Sequence, residues 1–264
     1  MTGQVLKVAV AGLGAVGMPV AKWLDAGQPG LRLVAVSAGD RARAEKRVAN
    51  FKTQPSVLEL PELVASADIV VEALPPEKFF DLAEPTMAAG KILVVVTVTQ
   101  ILDRLDLIET AKKTGARLIV STGALAAFDA VRAAQHGKIH SLTMVTRKPP
   151  KGLLKAPFVI EQGIDLSDLM SPVCLYKGSV RDAALKFPAN VNVAVALSLA
   201  GPGPDATSYE IWADPAVERN THRVILDSDA THLDFTIAGV PTEENPATGK
   251  LTPLAVMATL ESLV

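Results

Sequence analysis

The sequence predicts an α/β chain in two parts, and three observations carry that expectation. Short apolar runs alternate with helix-patterned segments over the first 122 residues. A glycine loop stands directly behind the first of those runs. Past residue 123 the apolar residues fall into strand-like alternation joined by short turns. The first part, 1–122, is expected as a doubly wound parallel sheet, with a C-terminal helix over 251–264 returning to cover it. The second, 123–250, is expected as an α+β domain carrying a mainly antiparallel or mixed sheet.

Val5 to Ala11, "VLKVAVA", is a β-branched run and reads as the first strand. "GLGAVG" follows at once. "MPVAKWLDAGQPG" then puts Val20, Trp23 and Leu24 on one helical face and stops at Gly27, and "LRLVAVSA" is a second strand. A strand, a glycine loop, a helix and a strand in that order are the context that gives a G-x-G-x-x-G its meaning as a Rossmann-type dinucleotide loop. Gly12 permits the tight turn, Gly14 lets the backbone approach a pyrophosphate, and Gly17 lets the helix pack closely on the strand, with Ala15 and Val16 between them. The helix N-terminus offers N–H groups and a positive dipole end to the phosphates.

The alternation continues through "ADIVVEAL" (strand), "PEKFFDLAEPTMAAG" (helix), "KILVVVTVT" (strand), "LDRLDLIETAKKTG" (helix) and "ARLIVSTG" (strand). Ligands of such sheets bind at the carboxyl ends of the strands. Those ends are Gly12 to Gly17, Ser37 to Arg43, Ala73 to Pro76, Thr97 to Thr99 and Ser121 to Ala124. An NAD site usually carries an acid ~20 residues beyond the glycines to hold the ribose 2′-hydroxyl. Counting forward reaches Ser37, with Asp40 three residues on, while Arg41 and Arg43 suit a 2′-phosphate. The cofactor expected is therefore NAD or NADP, with the choice open.

In the second part "GALAAFDAVRAAQHG" reads as a helix closed by Gly137. "KIHSLTMVTR", "SYEIWAD", "HRVILDS" and "HLDFTIAGV" read as strands, and Ala189 to Gly201 as a mostly buried helix. "LTPLAVMATLESLV" is an amphipathic C-terminal helix. The formal charge of -2 gives no reason to expect nucleic acid or an anionic membrane as partner. No run approaches the ~20 apolar residues of a membrane span, and the N-terminus leads straight into a strand instead of a signal peptide. The one cysteine, Cys174, reads as a small strand residue and fits a reducing compartment. The expectation is a cytoplasmic protein. No HxH, HExxH or CxxC spacing points to a metal site, and no GxSxG to a serine nucleophile.

Several long stretches carry a resemblance: "STGALAAFDAV", "VTRKPP", "KFPANVNVAVALSLAGPGPDAT", "ADPAVERNTHRV" and "ENPATGKLT". In that order they resemble the L-aspartate dehydrogenase family, small NAD(P)-dependent amino-acid dehydrogenases. The resemblance implies oxidative deamination of L-aspartate to iminosuccinate, which hydrolyses to oxaloacetate and ammonia or feeds quinolinate synthesis. It also implies a homodimer paired through the open face of the second sheet. On this chain it makes His222 the catalytic histidine. Ala124 becomes the residue whose backbone amide meets the cofactor, and Asn192 the asparagine at the nicotinamide. Ser37, Arg41 and Ala73, from the strand ends given above, are the remaining cofactor candidates. Thr122, Asn190 and Asn220 are the candidates for contacting a dicarboxylic amino acid, and Asn220 either orients the imidazole or caps its turn.

Removing a hydride from an α-carbon needs an unprotonated amine, and imine hydrolysis needs a proton moved to or from water. A histidine with a pKa near 6.5 on a polar turn is a suitable group. His136, at a helix end, reads as structural, His140 as exposed, and His232 as a less favoured pocket residue. Arg147 or Lys148, in the basic segment "TRKPPKGLLK", could recruit a substrate carboxylate or simply lie in a solvated loop. Two segments depart from the family pattern near the expected pocket: Ala126 and Ala127 in place of glycines, and "SDATHLDF" after the histidine strand. They leave open a same-fold dehydrogenase for another amino or oxo acid. A non-catalytic NAD(P) sensor is the alternative from another class.

Overall fold

The computed structural model describes residues 5–245 and 248–264; Pro246 and Ala247, within the "ENPATGKLT" stretch, lie outside the described residues. The chain divides into two compact units, Met1–Ser121 with Thr252–Val264, and Thr122–Leu251.

The first unit is built on β1 (Leu6–Ala11), α1 (Gly17–Asp25), β2 (Leu31–Ser37), α2 (Arg41–Val48), β3 (Ser56–Val57), α3 (Leu60–Ser66), β4 (Ile69–Glu72), α4 (Phe79–Ala88), β5 (Ile92–Val95), α5 (Asp106–Thr114) and β6 (Arg117–Val120). Six parallel strands lie in the order β3-β2-β1-β4-β5-β6. The order reverses beside β1, so the crevice expected for a ligand opens at the loop that follows β1. β4 is buried on both faces, as helix-covered parallel strands are. Val20 and Leu24 of α1 join Val8 and Val10 of β1 in a core that also takes in Val256 and Leu260 of the C-terminal helix, Leu251–Glu261. Each such side chain contributes about 1.5–3 kcal/mol by leaving water. Residues 41–66, which the sequence pattern left unassigned, supply α2, β3 and α3.

The second unit contains α6 (Phe128–Ala134), β7 (Ile139–Lys148), α7 (Pro157–Glu161), β8 (Val173–Ser179), α8 (Val180–Lys186), α9 (Asn192–Ala200), β9 (Thr207–Ala213), β10 (Thr221–Ser228) and β11 (His232–Ala238). Its sheet runs β11-β10-β7-β9-β8 and is mixed: β7 and β9 pair in parallel, the other neighbours antiparallel. Alternation gives it two unlike faces. Leu142, Met144, Thr146 and Lys148 of β7, Tyr209 and Ile211 of β9, and His222, Val224 and Leu226 of β10 form the covered one. Thr143, Val145, Arg147, Trp212 and Ile225 form the other, with the exposed thiol of Cys174 on β8.

The helix expected from Gly123 begins only at Phe128, because Gly123 (φ +61°) and Ala127 (φ +60°) hold the chain left-handed. A non-glycine residue in that region costs roughly 1–2 kcal/mol, partly offset in alanine's favour by the freer unfolded chain of glycine. Ala127→Gly is therefore expected to raise the chemical-denaturation free energy by up to about 1 kcal/mol, and Ala127→Val to lower it.

Candidate active site

In the first unit the three loop glycines answer to different demands. A Cβ on Gly12 would lie 2.1 Å from the Ala73 carbonyl oxygen, and φ is +94° there. A Cβ on Gly17 would lie 1.8 Å from the Gly12 oxygen. Both glycines are required by the chain's own packing. A Cβ on Gly14 would meet nothing within 4 Å, so no contact within the chain demands a glycine at that exposed position, and its backbone is open to a ligand. Immediately beyond it α1 starts with no side-chain cap and no acid in its first turn, leaving its positive end uncancelled for phosphate oxygens. A dinucleotide pyrophosphate fits this cradle.

Ala15 is half-buried and Val16 buried in the loop. The Gly12 amide donates to the Ser37 carbonyl at 2.8 Å and the Ala73 amide to that of Ala11 at 2.8 Å, so Ser37 and Ala73 flank the glycines. Arg41 is exposed and pairs with Glu45 at 3.0 Å. The Asp40 carboxylate accepts from the Arg43 amide at 2.9 Å, which makes it the N-cap of α2.

Two residues the sequence reading missed shape this groove. Arg47 donates to the Leu13 carbonyl at 2.5 Å and pins the glycine loop. Glu72, wholly buried at the end of β4, accepts from the amides of Leu74, Val96 and Thr97 and from the Thr97 hydroxyl. Burial pushes its carboxyl up, while those four donors pull it down. One carboxylate thus ties the ends of β4 and β5 together at the sheet's ligand edge. An acid closing the apolar strand "IVVE" was the available signal.

In the second unit His222 is the second residue of β10, at the head of the strand expected from "HRVILDS", and it is buried, only 7% exposed, instead of lying on the surface of a polar turn. The ladder to β11 reaches one residue ahead of β10, where the Asn220 carbonyl accepts from the Gly239 amide at 2.9 Å. The imidazole is held by Thr146, whose Oγ1 lies 3.0 Å from Nδ1. The ring's partner is thus Thr146 and not Asn220, and a hydroxyl can serve either tautomer. Thr146 faces His222 across the β7–β10 pair. Beside it the buried Tyr209 hydroxyl has no partner in hydrogen-bonding geometry among the described residues. Burial raises that phenol's pKa.

The pKa of His222 departs from the expected value near 6.5. Burial, followed by the charge of Lys148, pushes it down to about 3. Lys148 itself is 6% exposed, and burial lowers its ammonium to about 8. It lies not in a solvated loop but at the end of β7, in the same inward row as Thr146, and its Nζ donates to Asn190 Oδ1 at 2.8 Å. Arg147 points to the opposite face, where it pairs with Asp214 at 2.8 Å and stacks over Trp212.

The structure thus brings His222, Thr146, Lys148 and Asn190 together. Two residues on from Asn190, Asn192 opens α9. Val193 lies where a Gly123 Cβ would meet it at 3.6 Å, which sets the loop of half-buried Thr122 and buried Ala124 against that end of α9. His136, His140 and His232 are exposed and stand apart from the cluster. In "SDATHLDF" the Ser228–Thr231 turn closes the β10–β11 hairpin six residues from His222, about 20 Å along the strand, whereas half-buried Phe235 pairs with Val224 and is a diagonal neighbour of His222 on the same sheet face.

A dinucleotide cradle at a sheet switch point, with a buried neutral imidazole beside an ammonium on a second sheet, defines an NAD(P)-dependent dehydrogenase. The family comparisons agree with that class. The model described as aspartate dehydrogenase, C-terminal, matches residues 129–263, and that described as homoserine dehydrogenase, NAD binding domain, matches residues 12–121. The chain is 48% identical to an L-aspartate dehydrogenase of Bradyrhizobium diazoefficiens over 97% of this chain and 90% of that one. It is 46% identical to L-aspartate dehydrogenase 3 of Bordetella bronchiseptica, over 98% and 95%. The crystal structure of aspartate dehydrogenase from Thermotoga maritima has the same fold, with a TM-score of 0.75 at 21% identity over 98% and 96% of the two chains. The chain belongs to the L-aspartate dehydrogenase family.

Proposed function

We propose that the chain interconverts L-aspartate and iminosuccinate with NAD or NADP, the imine hydrolysing to oxaloacetate and ammonia, and that His222 is its acid/base residue. The observation that carries this is the buried His222–Thr146 pair beside Lys148, on a chain nearly half identical to aspartate dehydrogenases. Gly12, Gly14, Ala15, Val16, Gly17, Ser37 and Ala73 would hold the coenzyme in the first unit, and Ala124 and Asn192 in the second. Arg41 stands at the position that would meet a 2′-phosphate. A bound nicotinamide supplies the hydride acceptor for the α-carbon.

What the protein adds is orientation and proton handling. The imidazole is neutral at physiological pH, so it is ready to take a proton from the water that attacks the imine carbon. It returns that proton to the departing nitrogen, and ammonia leaves as the hydroxyl newly added to the carbon gives its proton to the ring and becomes the carbonyl. Thr146 fixes the ring so that its other nitrogen is the one available. Purified protein mixed with L-aspartate and each oxidised coenzyme at alkaline pH tests the reading by reduced-coenzyme fluorescence. Signal with aspartate supports it, and signal only with another amine or oxo acid would replace the substrate.

The less covered sheet face offers Val145, Trp212 and Ile225 among ion pairs such as Arg223–Asp234 and Lys177–Glu210. We infer that two copies pair there, in the reducing cytoplasm that a lone free thiol suits. Light scattering is expected to give twice the chain mass, and Ile225→Asp to give a monomer. A monomeric native protein would remove the pairing.

A further inference from the structure

Lys148 poses a problem in electrostatics that the proposed proton chemistry does not solve. A lysine is almost never so buried without a partner of opposite charge. Among the described residues its ammonium meets no carboxylate within ion-pair distance, and one neutral acceptor, Asn190 Oδ1, takes one of its three N–H donors. The nearest buried acid along the chain, Asp214, is engaged by Arg147 and by the Ala216 amide on the opposite side of the strand. Water could satisfy the remaining donors but not the charge, whereas an anion satisfies both.

The position also has a direction. Lys148 follows Thr146 by two residues on one strand, and Thr146 faces His222 on the next. Lys148 and His222 are therefore diagonal neighbours on one sheet face, a spacing of about 7–8 Å between backbones. A group held by the ammonium is placed beside the imidazole.

We propose that Lys148, steadied by Asn190, is the anchor that binds one carboxylate of a dicarboxylic substrate next to His222. The inference rests on the substrate reading given above. The Arg147 alternative falls away because that guanidinium faces the other way and is already paired. The bound carboxylate also offsets the ammonium's repulsion of a proton on His222, so substrate binding prepares the imidazole to carry one.

The test combines two variants with a measurement on the unaltered protein. With coenzyme saturating, Lys148→Met is expected to raise KM for L-aspartate and the dissociation constant of succinate, a dicarboxylate without the amine, by about 30- to 1000-fold. The loss should fall far more on KM than on kcat, with partial recovery in Lys148→Arg and unchanged reduced-coenzyme affinity. On the unaltered protein, cyanate should carbamylate Lys148, as read by peptide mass spectrometry. Succinate should protect it and succinamide should not.

Equal succinate affinity in the wild type and Lys148→Met overturns the anchor. So does a fall in kcat with KM unmoved, and so does carbamylation indifferent to succinate. The last readout holds even if Lys148→Met fails to fold. Succinate protection in a protein that does not turn over aspartate would fail the substrate reading and leave the anion site standing. Turnover of aspartate without protection would fail the anion site alone.

Discussion

His222→Ala is expected to lower kcat for L-aspartate by about 10²–10⁴-fold, the usual contribution of a positioned acid/base group, while reduced coenzyme still binds. Steady-state turnover and a fluorescence titration measure the two quantities on one preparation. A kcat within tenfold of wild type would remove the acid/base role, and a protein that merely sensed the dinucleotide would show no turnover to lose. Alanine also leaves a cavity and strands the Thr146 hydroxyl, so His222→Gln is the companion variant that keeps polar volume.

The companion also tests the ring's depressed pKa, for which the sign is definite. The folded-state value is about 3 against 6.5 for the free side chain. Between those values the unfolded chain binds a proton that the folded chain refuses, so stability falls as pH drops from 6.5 toward 3, and above 6.5 this group contributes no slope. His222→Gln should flatten the fall of Tm with acid in that window. Lys148 acts in the same sense in a separate window, from 10.5 down to about 8. A Tm profile of the Gln variant parallel to wild type from pH 6.5 to 4 would mean the imidazole is not held neutral by its surroundings.

The first unit was largely legible because its signals are local. A β-branched run, a glycine triplet and a helical face each need only neighbours in sequence, and their order dictates the sheet. The second unit was legible as elements but not as a site. "THRV" reads as the edge of a polar turn because its neighbours Asn220 and Thr221 are polar. The strand pattern "HRVILDS" takes in His222, but only pairing with β7 and β11 shows that it is buried. Lys148 shows the same limit: ending the strand at Arg147 leaves the lysine in a loop, whereas one further step of alternation puts it in the row of Met144 and Thr146. Thr146 carried no signal at all, since its role exists only across a strand pair 76 residues apart. The hairpin turn at Ser228–Thr231 makes the converse point. A strand's 3.3 Å rise per residue carries the turn away from the imidazole, while Phe235, further along the chain, returns beside it through the β10–β11 register.

Gly14→Ala and Gly17→Ala are expected to separate ligand approach from internal packing, with effects of opposite sign on stability. At Gly14 a methyl group meets no protein atom within 4 Å, and the backbone there is not left-handed. Alanine at such a position stabilises by up to about 1 kcal/mol through the unfolded chain, so Tm should hold or rise slightly. The same methyl group occupies the surface a pyrophosphate must touch, and the affinity for NADH and NADPH should fall by at least about tenfold, a loss of 1.4 kcal/mol or more. At Gly17 the methyl group would sit 1.8 Å from the Gly12 oxygen, and backbone cannot swing aside as a long side chain can. Overpacking of that kind costs about 1–3 kcal/mol or more, so Tm should drop and coenzyme binding with it. Calorimetry and fluorescence titration give a Tm and two coenzyme affinities for each variant. A Gly14→Ala protein that binds both coenzymes like wild type would mean that the pyrophosphate does not approach this loop.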